Sequence, residues 1–202
     1  MLIRAPMHGF TLIELLVALT IAGFLMALGL PALTGYLQNA KVGSVTQTLH
    51  SSLQAARTEA IRRNLPVDFI TTNAAVTASG VADAPSPSAT GRNWIVRVPD
   101  PAASGSFELL DARSSGEDSP STGASGVQVA ASGAFTGTIT FNGFGGTING
   151  AGFSFDITNP AAGACATAGP IRCMRVRVSP GGQVSTCDPA VTVTTDSRFC
   201  TP

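Results

Sequence analysis

Glu14 is the one charge inside an otherwise uncharged, largely apolar run from Phe10 to Leu33. An acidic side chain in a membrane helix costs roughly 2.5–3.5 kcal/mol near the bilayer centre, so this carboxylate calls for a positive partner or for a place at the membrane interface. Other residues able to do chemistry are few. Cys165, Cys173, Cys187 and Cys200 crowd into the last quarter of the chain, with Asp188 and Asp196 between the last two cysteines. Arg175 and Arg177 stand two apart in a β-prone run and so point the same way, and with Arg172 and Arg198 they form a candidate basic patch.

Catalysis finds no foothold in these residues. Of the two histidines, only His50 lies outside the first nine residues, on the polar side of a helical pattern. No Gly-x-Ser-x-Gly elbow surrounds a serine, and the glycine-rich stretch Gly143 to Gly152 lacks the Gly-Lys-Ser/Thr ending of a phosphate loop. No C-x-x-C or paired-histidine spacing occurs, and Asp188 and Asp196 do not complete an oxygen-ligand set for calcium. The chain is therefore expected to be no enzyme and to hold no metal or cofactor.

Composition bounds the partners. The 202 residues carry 12 Lys and Arg against 12 Asp and Glu, a formal charge of zero, and Lys41 is the single lysine. No overall electrostatic pull toward nucleic acid or acidic lipid exists, so a DNA role would need a local patch. Four cysteines in an exported domain read as two disulfides formed in an oxidising compartment. Three connectivities are open. Ser179-Pro180-Gly181-Gly182 fits a type II turn between runs Arg172 to Val178 and Gln183 to Cys187. In that register Cys187 stands opposite Met174, which puts Cys173 and Cys187 on opposite faces. Local pairing follows as the expectation: Cys165 with Cys173, and Cys187 with Cys200.

The elements that must carry these residues are a helix and then strands. As a helix, Phe10 to Leu33 would rise about 36 Å at ~1.5 Å per residue, enough to cross a bilayer. Glu14 inside that run argues against a cleaved secretory signal, whose core is short and charge-free. Pro31 is tolerated in membrane helices, and no further proline occurs until Pro66. Val42, Val45, Leu49, Leu53, Ala56 and Ala60 form one stripe at helical spacing, destined for a sheet, with Gln47, His50, Arg57 and Arg62 off it. Arg62 and Arg63 suit the negative end of the helix dipole. Beyond it, eight β-prone runs follow: Val67 to Thr72, Asn93 to Val98, Phe107 to Leu110, Val127 to Val129, Thr138 to Phe141, Phe153 to Thr158, Arg172 to Val178 and Gln183 to Cys187. The stretches Thr77 to Gly91 and Ser114 to Ser125 read as mobile loops.

Gly9-Phe10-Thr11-Leu12-Ile13-Glu14 closely resembles the start of type IV pilins and pseudopilins. That resemblance implies cleavage by a prepilin peptidase between Gly9 and Phe10 and N-methylation of Phe10. The freed Phe10 amine can then pair with Glu14 either within its own helix at the i, i+4 spacing or in a neighbouring subunit, and the family resemblance favours the neighbour, as an assembly and register device. The run Leu53 to Val67, together with Thr140-Phe141-Asn142-Gly143-Phe144-Gly145 and Arg175-Val-Arg-Val-Ser-Pro-Gly-Gly, resembles the GspH/FimT family of minor pseudopilins.

The implied fold is α+β and type IV pilin-like, a long N-terminal helix packed on a mainly antiparallel sheet domain. Its divisions are a leader (1–9), a transmembrane and filament-core helix (10–33), an amphipathic continuation (34–64) and a β-rich globular domain (65–202). The implied protein is a single-pass bacterial inner-membrane subunit with a periplasmic domain, incorporated into the pseudopilus of a type II secretion system. Its partners are the peptidase, other pseudopilins or pilins, the inner membrane and secretion substrates. The alternative is a FimT-like minor pilin of a type IV pilus, acting in assembly, adhesion or DNA uptake. Some FimT-like members bear a Gly-Arg-x-Arg element, but the matching turn here reads Gly181-Gly182-Gln183-Val184-Ser185, so DNA is the less favoured partner.

Overall fold

The computed structural model describes residues 11–76, 81–114, 127–132, 135–148, 150–159 and 171–200, the side chains of 28–32 excepted. Among these residues lie one helix, α1 (Leu12–Arg63), and eight strands: β1 (Val67–Thr72), β2 (Asn93–Pro99), β3 (Phe107–Ser114), β4 (Gln128–Ser132), β5 (Thr138–Phe141), β6 (Phe153–Thr158), β7 (Met174–Val178) and β8 (Val184–Cys187). Three of the expected strands match to the residue, and the others differ at their ends. The chain divides into two compact units, Met1–Leu37 and Gln38–Pro202.

Local chemistry sets both ends of α1. At its start the Thr11 hydroxyl accepts the Glu14 backbone N–H at 3.3 Å, satisfying one of the four orphan donors of a first turn. After Arg63 the chain leaves the helix through Asn64 at φ 50°, a left-handed conformation that asparagine tolerates, and Pro66 cannot resume the helix.

Within Gln38–Pro202 the expected stripe is the buried face. Val42, Leu49, Leu53, Ala56 and Ala60 are buried and Val45 packs against them. Two polar residues share that face. Thr46 is satisfied by its own helix, its hydroxyl donating to Val42 O at 2.7 Å, and Ser52 donates to Asp111 Oδ2 of β3 at 2.9 Å.

The strands form two antiparallel four-stranded sheets, ordered β3-β2-β1-β5 and β4-β6-β7-β8. Phe69, Trp94, Phe141 and Phe155 fill one core with the helical stripe, and Phe69 and Phe155 meet edge-on with ring centroids 6.2 Å apart. The other side of the first sheet is covered too, because Val81 is buried with Ile70 and Ile95, and Ala82 beside it is buried as well. Ser88 N–H donates to Thr71 O at 2.8 Å, and the Thr71 hydroxyl donates to Ser88 O at 2.6 Å. The expectation of a mobile loop is thereby corrected for residues 81–91, whose apolar and hydrogen-bonded contacts lay them on the sheet. Residues 77–80 and 115–126 lie outside the described residues.

The β7–β8 hairpin also departs from expectation. Arg175 stands opposite Cys187, and Val178 opposite Val184, one residue out of the register that placed Met174 there. Gly182 N–H donates to Ser179 O at 2.8 Å, and Gly182, not Gly181, takes the positive φ, at 74°. A turn followed by a left-handed glycine inserts one extra residue, the G1-bulge form of hairpin, where a type II turn would have needed positive φ at Gly181.

Candidate functional site

The residues that could meet partners fall in three places. The first is the start of α1. Glu14 is exposed in the first turn, beside Thr11, and every described side chain from Leu12 to Ala27 is exposed, Leu12 at 81% and Phe24 at 69%. A helix segment that is apolar all round requires cover from lipid or from other helices. Among the described residues no helix is long and apolar enough to cross a membrane; Phe10 and the side chains of 28–32, part of the expected span, lie outside them. Gly9 and Phe10, the expected processing site, lie outside them as well. The Thr11 cap was missed in the sequence, although the Thr-x-x-Glu spacing from Thr11 to Glu14 is the signature of a capped helix start.

The second place is the outer face of β7. Arg175 is not an available cation: its Nε and Nη2 meet Asp156 Oδ1 and Oδ2 at 2.6 and 2.9 Å, across a register that sets Asp156 opposite Arg175. That charge-assisted bond raises the arginine's pKa. Arg198 is matched in the same way, its Nη2 lying 2.8 Å from Asp196 Oδ2. The Arg198 side chain holds the Asp196 carboxyl down at about 2. Arg172 is exposed, and its backbone N–H donates to Asn39 Oδ1 at 2.8 Å. Arg177 stands in register between Ser154 and Ser185 and lines an open groove of about 630 Å³ with Ser132 and Gln183. The expected basic patch thus contains two arginines already neutralised within the fold.

Next to this face, Cys187 and Cys200 form a disulfide, with sulfurs 2.01 Å apart, as expected. Cys173 is disulfide-bonded too, and its expected partner Cys165 lies outside the described residues. The corrected hairpin register removes the reason given for local pairing, since Cys173 is two residues from Arg175 and so shares the face of Cys187. Asp188 and Asp196 cap turns, accepting the N–H groups of Ala190 and Arg198, each at 2.9 Å. Among the described residues no group of three or more His, Cys, Asp or Glu could hold a metal ion.

The third place is the end of α1. Arg62 pairs with Glu59, and Arg63 bridges Glu59 and Glu108 of β3 at 3.0 and 2.5 Å. Arg63 lowers the Glu108 pKa, and Arg62 followed by Arg63 lowers that of Glu59. Arg63 therefore ties helix to strand, whereas the Arg62 pair stays within the helix. Glu108 was invisible as a partner because the contact spans 45 positions. His50, half-buried on the same helix, meets only Gln54 Nε2 among the described polar contacts, at 3.3 Å.

Two family descriptions match the chain: type II transport protein GspH over residues 45–182, and the prokaryotic N-terminal methylation motif over residues 4–30. No curated protein matches. Among solved structures, the type IV minor pilin FimU of Pseudomonas aeruginosa is 17% identical, with a TM-score of 0.46 over 73% of this chain and 93% of that one. The minor pseudopilin EpsH from the Type 2 Secretion System of Vibrio cholerae is 13% identical, with a TM-score of 0.46 over 75% and 99%. The GspH match covers the helical stripe from Val45 onward, strands β1 to β7 and the β7–β8 turn as far as Gly182.

Proposed function

The chain belongs to the GspH family of type II transport proteins, and from that premise we propose that it is a minor pseudopilin, a structural subunit of the periplasmic pseudopilus of a type II secretion system. Prepilin peptidase cuts between Gly9 and Phe10, and the new amino terminus is methylated. The observation that carries the reading is the pairing of a methylation motif over residues 4–30 with a GspH domain over residues 45–182.

Before assembly the segment 10–33 anchors the subunit as a single span in the inner membrane, with the globular domain in the periplasm. On assembly the side chains now exposed from Leu12 to Ala27 pack against the same segments of other subunits, exchanging lipid contact for protein contact. Glu14 pairs with the Phe10 amine of a neighbour, and an ion pair in an apolar surround punishes any register that leaves one charge alone. The work is mechanical. A DNA-uptake role in a type IV pilus draws less support, because Arg175 and Arg198 already hold carboxylates.

Pull-down of the full-length protein from its native envelope, with mass spectrometry of what accompanies it, tests the choice of machine. Secretion-system pseudopilins are the expected companions; pilus subunits with DNA-uptake proteins would overturn the secretion reading.

A further inference from the structure

The turn after β5 holds up a side chain that the fold does not use. Asn142 Oδ1 accepts the backbone N–H groups of Phe144 and Gly146 at 3.0 and 3.1 Å. Gly145 N–H donates to Asn142 O at 2.8 Å, and Asn142 N–H to Gly146 O at 2.9 Å. The turn is also wedged against the end of α1. A Cβ on Gly143 would stand 2.2 Å from Asn64 Oδ1, and one on Gly145, at φ +82°, would stand 2.7 Å from Ile61 Cδ1. Arg57 Nε donates to Gly145 O at 3.0 Å and fastens the turn to the helix. Close approach to the end of α1 thus favours glycine on both sides, most strictly at Gly145 with its positive φ, and the residue between them, Phe144, is 93% exposed.

Nothing in the turn asks for an aromatic ring, and a polar residue there would leave less apolar surface in water. A lone exposed apolar side chain is ordinary. Phe144 differs in its surroundings. Ile61, against the same turn, is 49% exposed, so apolar surface continues from the turn onto the helix. Arg57 has no carboxylate partner among the described residues, whereas Arg62 and Arg63, further along the helix, are matched by Glu59 and Glu108.

We propose that Phe144, Ile61 and Arg57 form a docking surface for a segment of another protein that presents an apolar side chain beside a carboxylate. The carboxylate meets the Arg57 guanidinium and the apolar side chain covers the Phe144 ring. Aromatic side chains and arginine are both enriched at binding interfaces, and a turn already locked loses little freedom on binding. One ring and one cation are too little for stable membrane attachment, which takes a larger apolar face or a second anchoring signal. The surface lies wholly within Gln38–Pro202 and exists whichever filament the subunit joins.

The test places the photo-crosslinker benzoylphenylalanine at position 144 of the full-length chain in its native envelope, with the same probe at Val193, also exposed, for comparison. The expected result is an adduct specific to position 144, with a peptide of a different protein that contains Asp or Glu. Its yield should fall about tenfold in Arg57→Gln and be retained in Arg57→Lys, a loss above the threshold that most interface residues fail to reach. Unchanged thermal melting of both Arg57 variants separates this from a disturbed turn; if Arg57→Gln melts lower, reversal of the partner's carboxylate to lysine must give the same loss. No adduct, adducts only with lipid or with a second copy of this chain, or a yield indifferent to the Arg57 charge and to that reversal would overturn the proposal.

Discussion

The Thr11 hydroxyl and the Glu14 backbone N–H are joined by a 3.3 Å hydrogen bond, which fixes Glu14 at the third position of a 52-residue helix. That bond uses the Glu14 main chain and leaves its exposed carboxylate out of the cap. Start of helix and the charge proposed for assembly are therefore separable by mutation. Thr11→Ala should weaken the first turn by about 1 kcal/mol, the usual cost of losing an N-cap, and raise amide exchange there. Glu14→Val should keep the cap and membrane insertion yet lower incorporation into filaments, measured by shearing and quantifying the assembled fraction. Normal incorporation of Glu14→Val would return the carboxylate to a tolerated surface charge.

Gly182 should resist substitution. Besides its φ of 74°, a Cβ there would stand 1.8 Å from Gly145 O. Gly182→Ala should destabilise the globular unit by more than about 1 kcal/mol, beyond the ordinary cost of alanine at positive φ, as read by denaturant melting. Gly181→Ala, whose nearest neighbour would be the Ser179 hydroxyl at 3.9 Å, should be close to neutral.

At the β7–β8 hairpin the sequence pattern runs out. Ser179-Pro180-Gly181-Gly182 announces a turn, but two adjacent glycines leave open which takes the left-handed conformation, and that choice moves the register by one residue. The helix stripe from Val42 to Ala60 was legible because burial follows the 3.6-residue period over many turns. Strands were legible in place and blurred at their ends, where pairing with β2 carries β3 on to Ser114. Long-range partners left no trace: nothing near Arg63 in sequence points to Glu108, and nothing near Arg175 points to Asp156. The cap at Thr11 was within reach and lay hidden under the family resemblance of the same residues.

Stability should fall in acid through the ion pairs at the end of α1. Glu59 and Glu108 titrate below their ordinary value of 4.5 in the folded state, held there by Arg62 and Arg63. Their contribution is complete above that ordinary value and is lost as pH falls through the lowered folded values, because the unfolded chain takes up protons first. The melting temperature should therefore drop as pH is lowered below about 4.5. In Glu108→Gln that drop should be shallower; an identical slope would mean the pair contributes nothing.

The Cys187–Cys200 disulfide closes a loop of 13 positions. Chain-entropy arguments place such a loop near 3 kcal/mol of stabilisation, so Cys187→Ser with Cys200→Ser should lower the melting temperature by several degrees. An unchanged melting point would show that the bridge constrains little beyond the last residues.

The central claim is tested most directly at the amino terminus. Expressed with an active prepilin peptidase, the chain should yield a mature species beginning at N-methylated Phe10 in intact-mass and peptide spectra, and Gly9→Val should leave the precursor uncut. A wild-type chain that keeps Met1 to Gly9 beside a peptidase shown to cleave another substrate would contradict it.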